Sequence, residues 1–370
     1  VSAGFEPPPY PYDRLDDLKV LGAQHEGGLV DLSIGTPCDP PPPSVVAALS
    51  ESGAERGYPP SIGTARFREA AAGWLQRRFG VDLDPGDLAA CVGTKELVAS
   101  LPHVLRLRTP GRDTVLFPAV AYPTYEMGAV LAGCRAVAVP VDAQWRLDLS
   151  AVAEADAARA LCLWVNTPGN PAGNVDDLGA AAAWGRDRGI PVLSDECYAE
   201  FTWDGPPRTI LERGLDGVLA VHSLSKRSNL AGLRAGFYAG DPALVRYLAE
   251  VRKHAGLMPP GPVLAAAAVA FDDDEHVDDQ RARYEERLRY LAGALESTGI
   301  PTPLPGGGFY LWPAAPEGDA WGLAHQLAAK GGALVSPGEF YGRAGAGHVR
   351  IALVQPMERL ELVARRLGVA

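Results

Sequence analysis

Lysine is scarce in this sequence. Only five of the 370 residues are lysine: Lys19, Lys95, Lys226, Lys253 and Lys330. Arginine fills nearly every other basic position. Cysteine is scarce too. The five cysteines (Cys38, Cys91, Cys134, Cys162 and Cys197) are odd in number, scattered and never arranged as CxxC. This excludes a disulfide framework and a zinc ribbon, and suits small buried side chains in a reducing, cytoplasmic setting. The seven histidines form no HExxH or comparable pattern, so no metal is expected. No apolar run is long enough to cross a bilayer, and residues 1–12 are Pro-rich without the regions of a signal peptide, so no membrane partner is expected. An excess of positive charge is missing as well. The formal net charge of −11 argues against a nucleic-acid partner, because phosphate backbones need a basic surface. Internal repeats and long low-complexity linkers are also absent.

What is present is the makeup of a globular enzyme, with 47% hydrophobic and 21% charged residues. A chain of this length can bury one large core and a second, smaller one. Short apolar runs at 114–117, 136–141, 160–165, 191–194, 217–222 and 235–239 read as strands. Helical patterns at 123–132, 176–188 and 242–254 lie among them. That alternation predicts an α/β fold with a mostly parallel sheet between helices. Residues 272–297 read as one long charged helix, with Tyr284, Leu288, Leu291 and Leu295 on one face. An α+β pattern follows: an apolar stretch at 308–312, a helix at 320–330, strands at 333–336 and 348–353, and a helix at 358–367. The expected division is an N-terminal arm, 1–43, packing with the small domain, then a large domain, 44–272, and a small C-terminal domain, 273–370.

One of the five lysines sits in a suggestive place. Lys226 closes Ser223-Leu224-Ser225-Lys226 directly after an apolar run, and Arg234 follows eight residues later. An amine forms a Schiff base with an aldehyde and a guanidinium does not. Taken singly, a solvated loop lysine is the better account. Three further groups fall at the ends of expected strands, where open parallel sheets bind ligands. Gly93-Thr94-Lys95-Glu96 opens a helix and can hold a phosphate or simply cap it. Asn166-Thr167-Pro168-Gly169-Asn170-Pro171-Ala172-Gly173 is a rigid turn that presents Asn170. Asp195 ends a strand and can keep a pyridine nitrogen protonated, while Tyr198 can donate to a phenolate oxygen. Together the four groups describe an aldehyde, a phenolic oxygen, a ring nitrogen and a phosphate, the parts of pyridoxal 5′-phosphate.

With these strings in place, the chain resembles the class I aminotransferases of the pyridoxal phosphate fold-type I superfamily. The resemblance runs through NTPGNPAG, SDECYAEF and SLSKRSNLAGLRAGF, with more at 58–63, 121–125 and 348–351. It implies a large domain with a mostly parallel sheet plus a smaller α+β domain. It also implies a role for each matching residue. Lys226 carries the cofactor and shuttles protons. Asp195 pairs with the ring nitrogen, Asn170 and Tyr198 bond the ring oxygen, and Tyr122 stacks on the ring. Thr94, Lys95, Ser223 and Arg234 hold the phosphate. Tyr58 reaches the phosphate of the neighbouring subunit, which makes the enzyme a homodimer. Arg350 grips the substrate α-carboxylate, and Gly35 closes over the substrate.

Narrower strings, Ser223–Gly232, Arg252–Gly256 and Gly338–Gly342, are similar to the N-succinyldiaminopimelate aminotransferases of high-GC Gram-positive bacteria. They imply transfer from glutamate to N-succinyl-2-amino-6-oxopimelate, in lysine and diaminopimelate biosynthesis, by ping-pong kinetics through pyridoxamine phosphate. Such an acceptor brings extra carboxylates, for which Lys95, Arg227 and Arg343 are candidates. The sequence departs from that pattern at Ala172 and in the run Gly306-Gly307-Gly308, which is positioned to reshape the pocket. An aspartate, alanine or broad-range aminotransferase and a carbon–sulfur lyase stay open as alternatives. A DNA-binding regulator lacks room for its module in 1–43. A nicotinamide dehydrogenase lacks the glycine spacing.

Overall fold

The structure is a computed structural model and describes residues 5–369. After a short strand β1 (Val30–Asp31) come seven strands: β2 (Leu88–Cys91), β3 (Thr114–Pro118), β4 (Arg135–Val139), β5 (Ala160–Asn166), β6 (Val192–Asp195), β7 (Val218–Ser223) and β8 (Gly236–Gly240). They form one sheet in the order β2-β8-β7-β6-β5-β3-β4. All neighbours are parallel except those of β8, which runs against both β2 and β7. The fold is therefore α/β, as the sequence predicts. Strands β5, β6 and β7 are buried along their whole length, which is why they read as unbroken apolar runs. Alternate residues of β5 feed two cores. Leu163 and Val165 pack with Trp74, Phe237 and Phe271, whereas Cys162 and Trp164 pack with Leu101, Tyr125 and Leu248.

The long helix expected over 272–297 is present as Glu275–Ser297, starting three residues late, after a break from a separate helix, Gly261–Asp272. The break comes from Asp273, whose carboxylate accepts the backbone N–H of Glu275 at 3.1 Å and of His276 at 3.3 Å. A short acidic side chain thus caps a new helix instead of continuing the old one. Strand β4 also starts one residue early and ends two residues early relative to expectation.

Past the second helix come β9 (Tyr310–Leu311), β10 (Ala333–Leu334), β11 (Ser336–Pro337) and β12 (Val349–Ala352). Strand β12 lies between β11 and β9, antiparallel to both. Strand β1 pairs in parallel with β10, Val30 opposite Ala333. Leu15, Leu18, Val30 and Leu32 share a core with Leu295, Leu327, Ile351 and Leu360. Farther along, Asp39 accepts two bonds from Arg287, at 2.6 and 2.7 Å, with both side chains largely buried. No helix among the described residues is long and apolar enough to cross a membrane.

Candidate active site

A cavity of about 410 Å³ opens over the C-terminal ends of β5, β6 and β7. Its floor comes from three adjacent strand ends: Asn166, Asp195 and Ser223. One wall is the start of the helix Thr94–Arg108. Gly93 precedes it with φ 74° and supplies no side-chain cap, so the first-turn N–H groups beside Thr94 and Lys95 are available to an anion. Arg234, itself left-handed at φ 56°, lays its guanidinium against Gly93, where a Cβ would collide with it. Ser223 Oγ accepts the N–H of Ser225 at 3.1 Å and starts the short turn that carries Lys226.

The Lys226 amine donates to the carbonyl of Gly35, in the segment that roofs the cavity. Burial pushes its pKa down from 10.5 to about 8. Asp195 Oδ2 accepts from the Tyr125 hydroxyl at 2.8 Å, and Oδ1 accepts the N–H of Cys197 at 3.3 Å. Burial raises the Asp195 pKa, and those two residues' hydrogen bonds pull the other way. Asn166 links the neighbouring strands. Its amide donates to the Asp195 carbonyl at 2.8 Å and its oxygen accepts the N–H of Asn170 at 2.8 Å.

Arg350 projects from β12 and is buried. Its Nη1 donates to Asn170 Oδ1 at 2.9 Å and its Nη2 donates to the Tyr12 hydroxyl at 3.3 Å. The guanidinium carbon lies 4.4 Å from the Tyr310 ring centre and 4.7 Å from that of Tyr341. Its Nε has no partner among the described residues. The Tyr198 and Tyr310 hydroxyls are 2.8 Å apart.

Eleven of the twelve residues singled out from the sequence line this one cavity: Gly35, Thr94, Lys95, Tyr122, Asn170, Asp195, Tyr198, Ser223, Lys226, Arg234 and Arg350. Tyr58 does not. It is 99% exposed on a loop of the same chain. Of the three cations considered for distal carboxylates, only Lys95 lines the cavity. Arg227 is turned away and buried against Glu200 at 2.5 Å, because an arginine inside the core needs a carboxylate partner. Arg343 is exposed outside the cavity. The glycine run is not part of the lining either. Gly307 donates to the Gly173 carbonyl at 3.0 Å, and a Cβ on Gly307 would collide with Pro168, so the glycines let this loop lie flat on the rigid turn that presents Asn170.

Several lining residues had not been singled out: Tyr10, Tyr12, Ile34, Tyr125, Cys197 and Tyr310. Tyr125 stood inside the 121–125 string, and Cys197 between Asp195 and Tyr198. Tyr10 and Tyr12 lie in a Pro-rich segment without periodicity, and only tertiary packing brings them here.

The residues present fit pyridoxal phosphate. Free helix N–H groups with Ser223 and Arg234 suit a phosphate, the Asp195 carboxylate suits a ring nitrogen, and the lowered Lys226 amine suits an aldehyde. Arg350, with a free Nε, suits a substrate carboxylate. Among the described residues no cluster could hold a metal ion.

Comparison with known proteins agrees. Residues 28–367 match the family model "Aminotransferase class I and II". The chain is 46% identical to the 4-dedimethylamino-4-oxo-anhydrotetracycline transaminase OxyQ of Streptomyces rimosus, over 98% of this chain and 99% of that protein. It is 33% identical to the LL-diaminopimelate aminotransferase of Aquifex aeolicus, over 97% and 96%. Among solved structures, a probable N-succinyldiaminopimelate aminotransferase from Thermus thermophilus superposes with TM-score 0.87 at 34% identity, covering 96% of this chain and 98% of that one.

Proposed function

The chain belongs to the class I and II aminotransferase family, and within it we propose that the enzyme moves an amino group from glutamate to N-succinyl-2-amino-6-oxopimelate. As a member of that family it is a pyridoxal phosphate-dependent aminotransferase that acts on amino acids and oxo acids. When bound, the cofactor supplies an electron sink that acidifies the substrate Cα–H bond. The remaining work falls to the chain. Thr94, Lys95, Ser223 and Arg234 hold the phosphate, and Asp195 keeps the ring nitrogen charged. Asn170 and Tyr198 hold the ring oxygen, and Tyr122 covers a ring face. Lys226, neutral in a good fraction of molecules near its pKa of about 8, takes the proton from substrate Cα. Arg350 orients both substrates by the α-carboxylate, while Gly35 and its neighbours roof the cavity against water.

The observation that carries this reading is the buried Arg350 fork, facing the same cavity as Lys226 and Asp195. The acceptor assignment draws support from Lys95 at the cavity and from the relatives named for diaminopimelate substrates. A second reading has its own support. Two distal carboxylates would meet only Lys95 as a further cation of this cavity, whose lining also holds six tyrosines: Tyr10, Tyr12, Tyr122, Tyr125, Tyr198 and Tyr310. That lining also suits a large, flat ketone of the kind named for the Streptomyces rimosus relative.

Steady-state kinetics with glutamate and each acceptor separate the two. Arg350→Ala should lower kcat/KM for glutamate and for the oxo-acid acceptor alike, by about 100-fold, the worth of a charge-assisted bidentate contact. With cofactor saturating, so that the phosphate contact drops out of the comparison, Lys95→Ala should weaken the succinylated acceptor more than glutamate. Faster turnover of a fused-ring ketone, aspartate or alanine by the wild type would remove the succinylated substrate and leave the aminotransferase in place.

The same reading divides the chain into an arm (1–43), a large domain (44–272) and a small domain (273–370), supported by one core that the arm shares with the C-terminal residues and two cores drawn from 45–271. It also makes the enzyme a homodimer, with the exposed Tyr58 completing its neighbour's phosphate site. Sedimentation should give twice the chain mass of 39.0 kDa. A fully active monomer at assay concentration would overturn the dimer.

A further inference from the structure

Each of three candidate active-site residues has a polar chain neighbour that turns the other way. Glu196 follows Asp195, His222 precedes Ser223, and Arg227 follows Lys226. At the ends of β6 and β7 adjacent side chains point to opposite faces, and in the helical turn Leu224–Arg227 neighbours point about 100° apart, so residues beside a site are delivered behind it. All three reach one small internal cavity, of about 10 Å³, which Trp74 also lines.

The His222 ring is walled by aromatic side chains. Trp74 packs edge-on against His222 at 5.0 Å between ring centres, and Phe79 and Phe237 complete the box around the imidazole. Glu196 and His222 are almost fully buried, with Glu196 Oε2 and His222 Nε2 3.2 Å apart. The other oxygen of Glu196 is occupied, accepting the N–H of Ile210 at 2.8 Å. Arg227 spends Nε on Glu200 and Nη1 on the Ala270 carbonyl at 2.7 Å and Ser228 Oγ at 3.2 Å. Five buried atoms of residues lining this cavity make no hydrogen bond to any described residue: Trp74 Nε1, Glu196 Oε2, Glu200 Oε1, His222 Nε2 and Arg227 Nη2. Two of them, Glu196 Oε2 and His222 Nε2, already face each other as a pair. Leaving several polar atoms unsatisfied in a core is costly, and each has a counterpart here. The volume is that of about one water molecule, and a water needs two to four polar partners.

We propose that this cavity binds a single ordered water that joins Trp74, Glu196, Glu200 and Arg227, and through Glu196 also His222, into a back-plate positioning Asp195, Ser223 and Lys226. The donor–acceptor count closes. The water accepts from the Trp74 indole N–H and from Arg227 Nη2, and it donates to Glu196 Oε2 and to Glu200 Oε1, while the His222 Nε2–H faces Glu196 Oε2 directly. A bare anion would meet Glu196, and a bare cation would meet Arg227 and Trp74. These five are positioning residues, and none of them lines the candidate active site. Because the back-plate grips the chain beside Asp195, Ser223 and Lys226, it fixes the distances among them. The inference rests on the roles proposed above for those three.

Two measurements test it. A high-resolution crystal structure of the holoenzyme should show one peak within hydrogen-bond distance of Trp74 Nε1 and Glu196 Oε2. An empty cavity, or one closed by direct contact between those side chains, overturns the proposal. Glu196→Gln turns an acceptor toward the water into a donor, and Trp74→Phe removes a donor. Each should weaken pyridoxal phosphate binding about tenfold, the scale of one lost buried hydrogen bond, with circular dichroism unchanged. Borohydride labelling should still fall on Lys226. If one variant does not fold, the other carries the measurement. Wild-type cofactor affinity in a folded variant overturns the back-plate, whereas failure of wild type to be labelled at Lys226 counts against the active-site assignment instead.

Discussion

Lys226→Ala is expected to lower turnover by about 10⁴-fold or more, because it removes both the amine that captures the cofactor and the base at substrate Cα. The motive is structural as well as chemical. Burial at the cavity lowers the Lys226 pKa to about 8. Borohydride reduction of the holoenzyme should label a single peptide containing Lys226. A label on Lys95 or Lys253 would move the assignment. The same residue gives a pH signature without cofactor. Between about 8 and 10.5 the unfolded chain binds a proton at this lysine that the folded chain gives up. Stability of the apo protein should therefore rise with pH across that window. A Lys226→Met variant, which keeps the length of the side chain without its charge, should lose that contribution. Equal slopes in denaturant titrations of the two proteins would show that the amine is not held in a desolvating site.

Asp195→Asn is the second large effect, about 1,000-fold in turnover, because a neutral amide does not hold the ring nitrogen charged. The substitution keeps the size of the side chain, and its oxygen can still accept from Tyr125, so the fold should survive with an unchanged thermal midpoint. Cofactor should still bind, since its phosphate and aldehyde contacts lie elsewhere. Turnover at the wild-type level in Asp195→Asn would mean that the carboxylate does not face the ring. Tyr125→Phe, which removes the 2.8 Å bond to the carboxylate, should give a smaller loss of the same kind.

Those residues were legible because strand ends in a parallel sheet carry both a recognisable apolar run and the chemistry that follows it. Strands β5, β6 and β7 show the pattern, and Asn166, Asp195 and Ser223 follow from it. Strand β2 did not show it. Its four residues, Leu88-Ala89-Ala90-Cys91, hold no β-branched side chain, and its one partner is the reversed strand β8. The start of the long helix at Glu275, three residues later than expected, was hidden because an acidic run suits a helix surface as well as a helix cap. The aromatic roof was hidden for a deeper reason. Tyr12 meets Arg350 across more than three hundred residues of sequence, and no local pattern encodes such a meeting. For Arg227 the residue type was read correctly and its direction was not. A basic residue beside Lys226 looks available to substrate until the helical turn Leu224–Arg227 swings it about 100° away from Lys226 and inward onto Glu200.

The pairing of β1 with β10 also bears on how the molecule can be assembled. Val30 can meet Ala333 only after some three hundred intervening residues have been made. A ribosome delivers the arm first, so its apolar side chains, Leu15, Leu18, Val30 and Leu32, must wait without partners while the central sheet collapses. Contacts this distant in sequence form late, since the chain between their ends must be closed before they return anything. The roof over the cavity hangs from that same arm through Gly35 and Tyr12. The binding pocket is thus completed only where segments some three hundred residues apart in sequence meet.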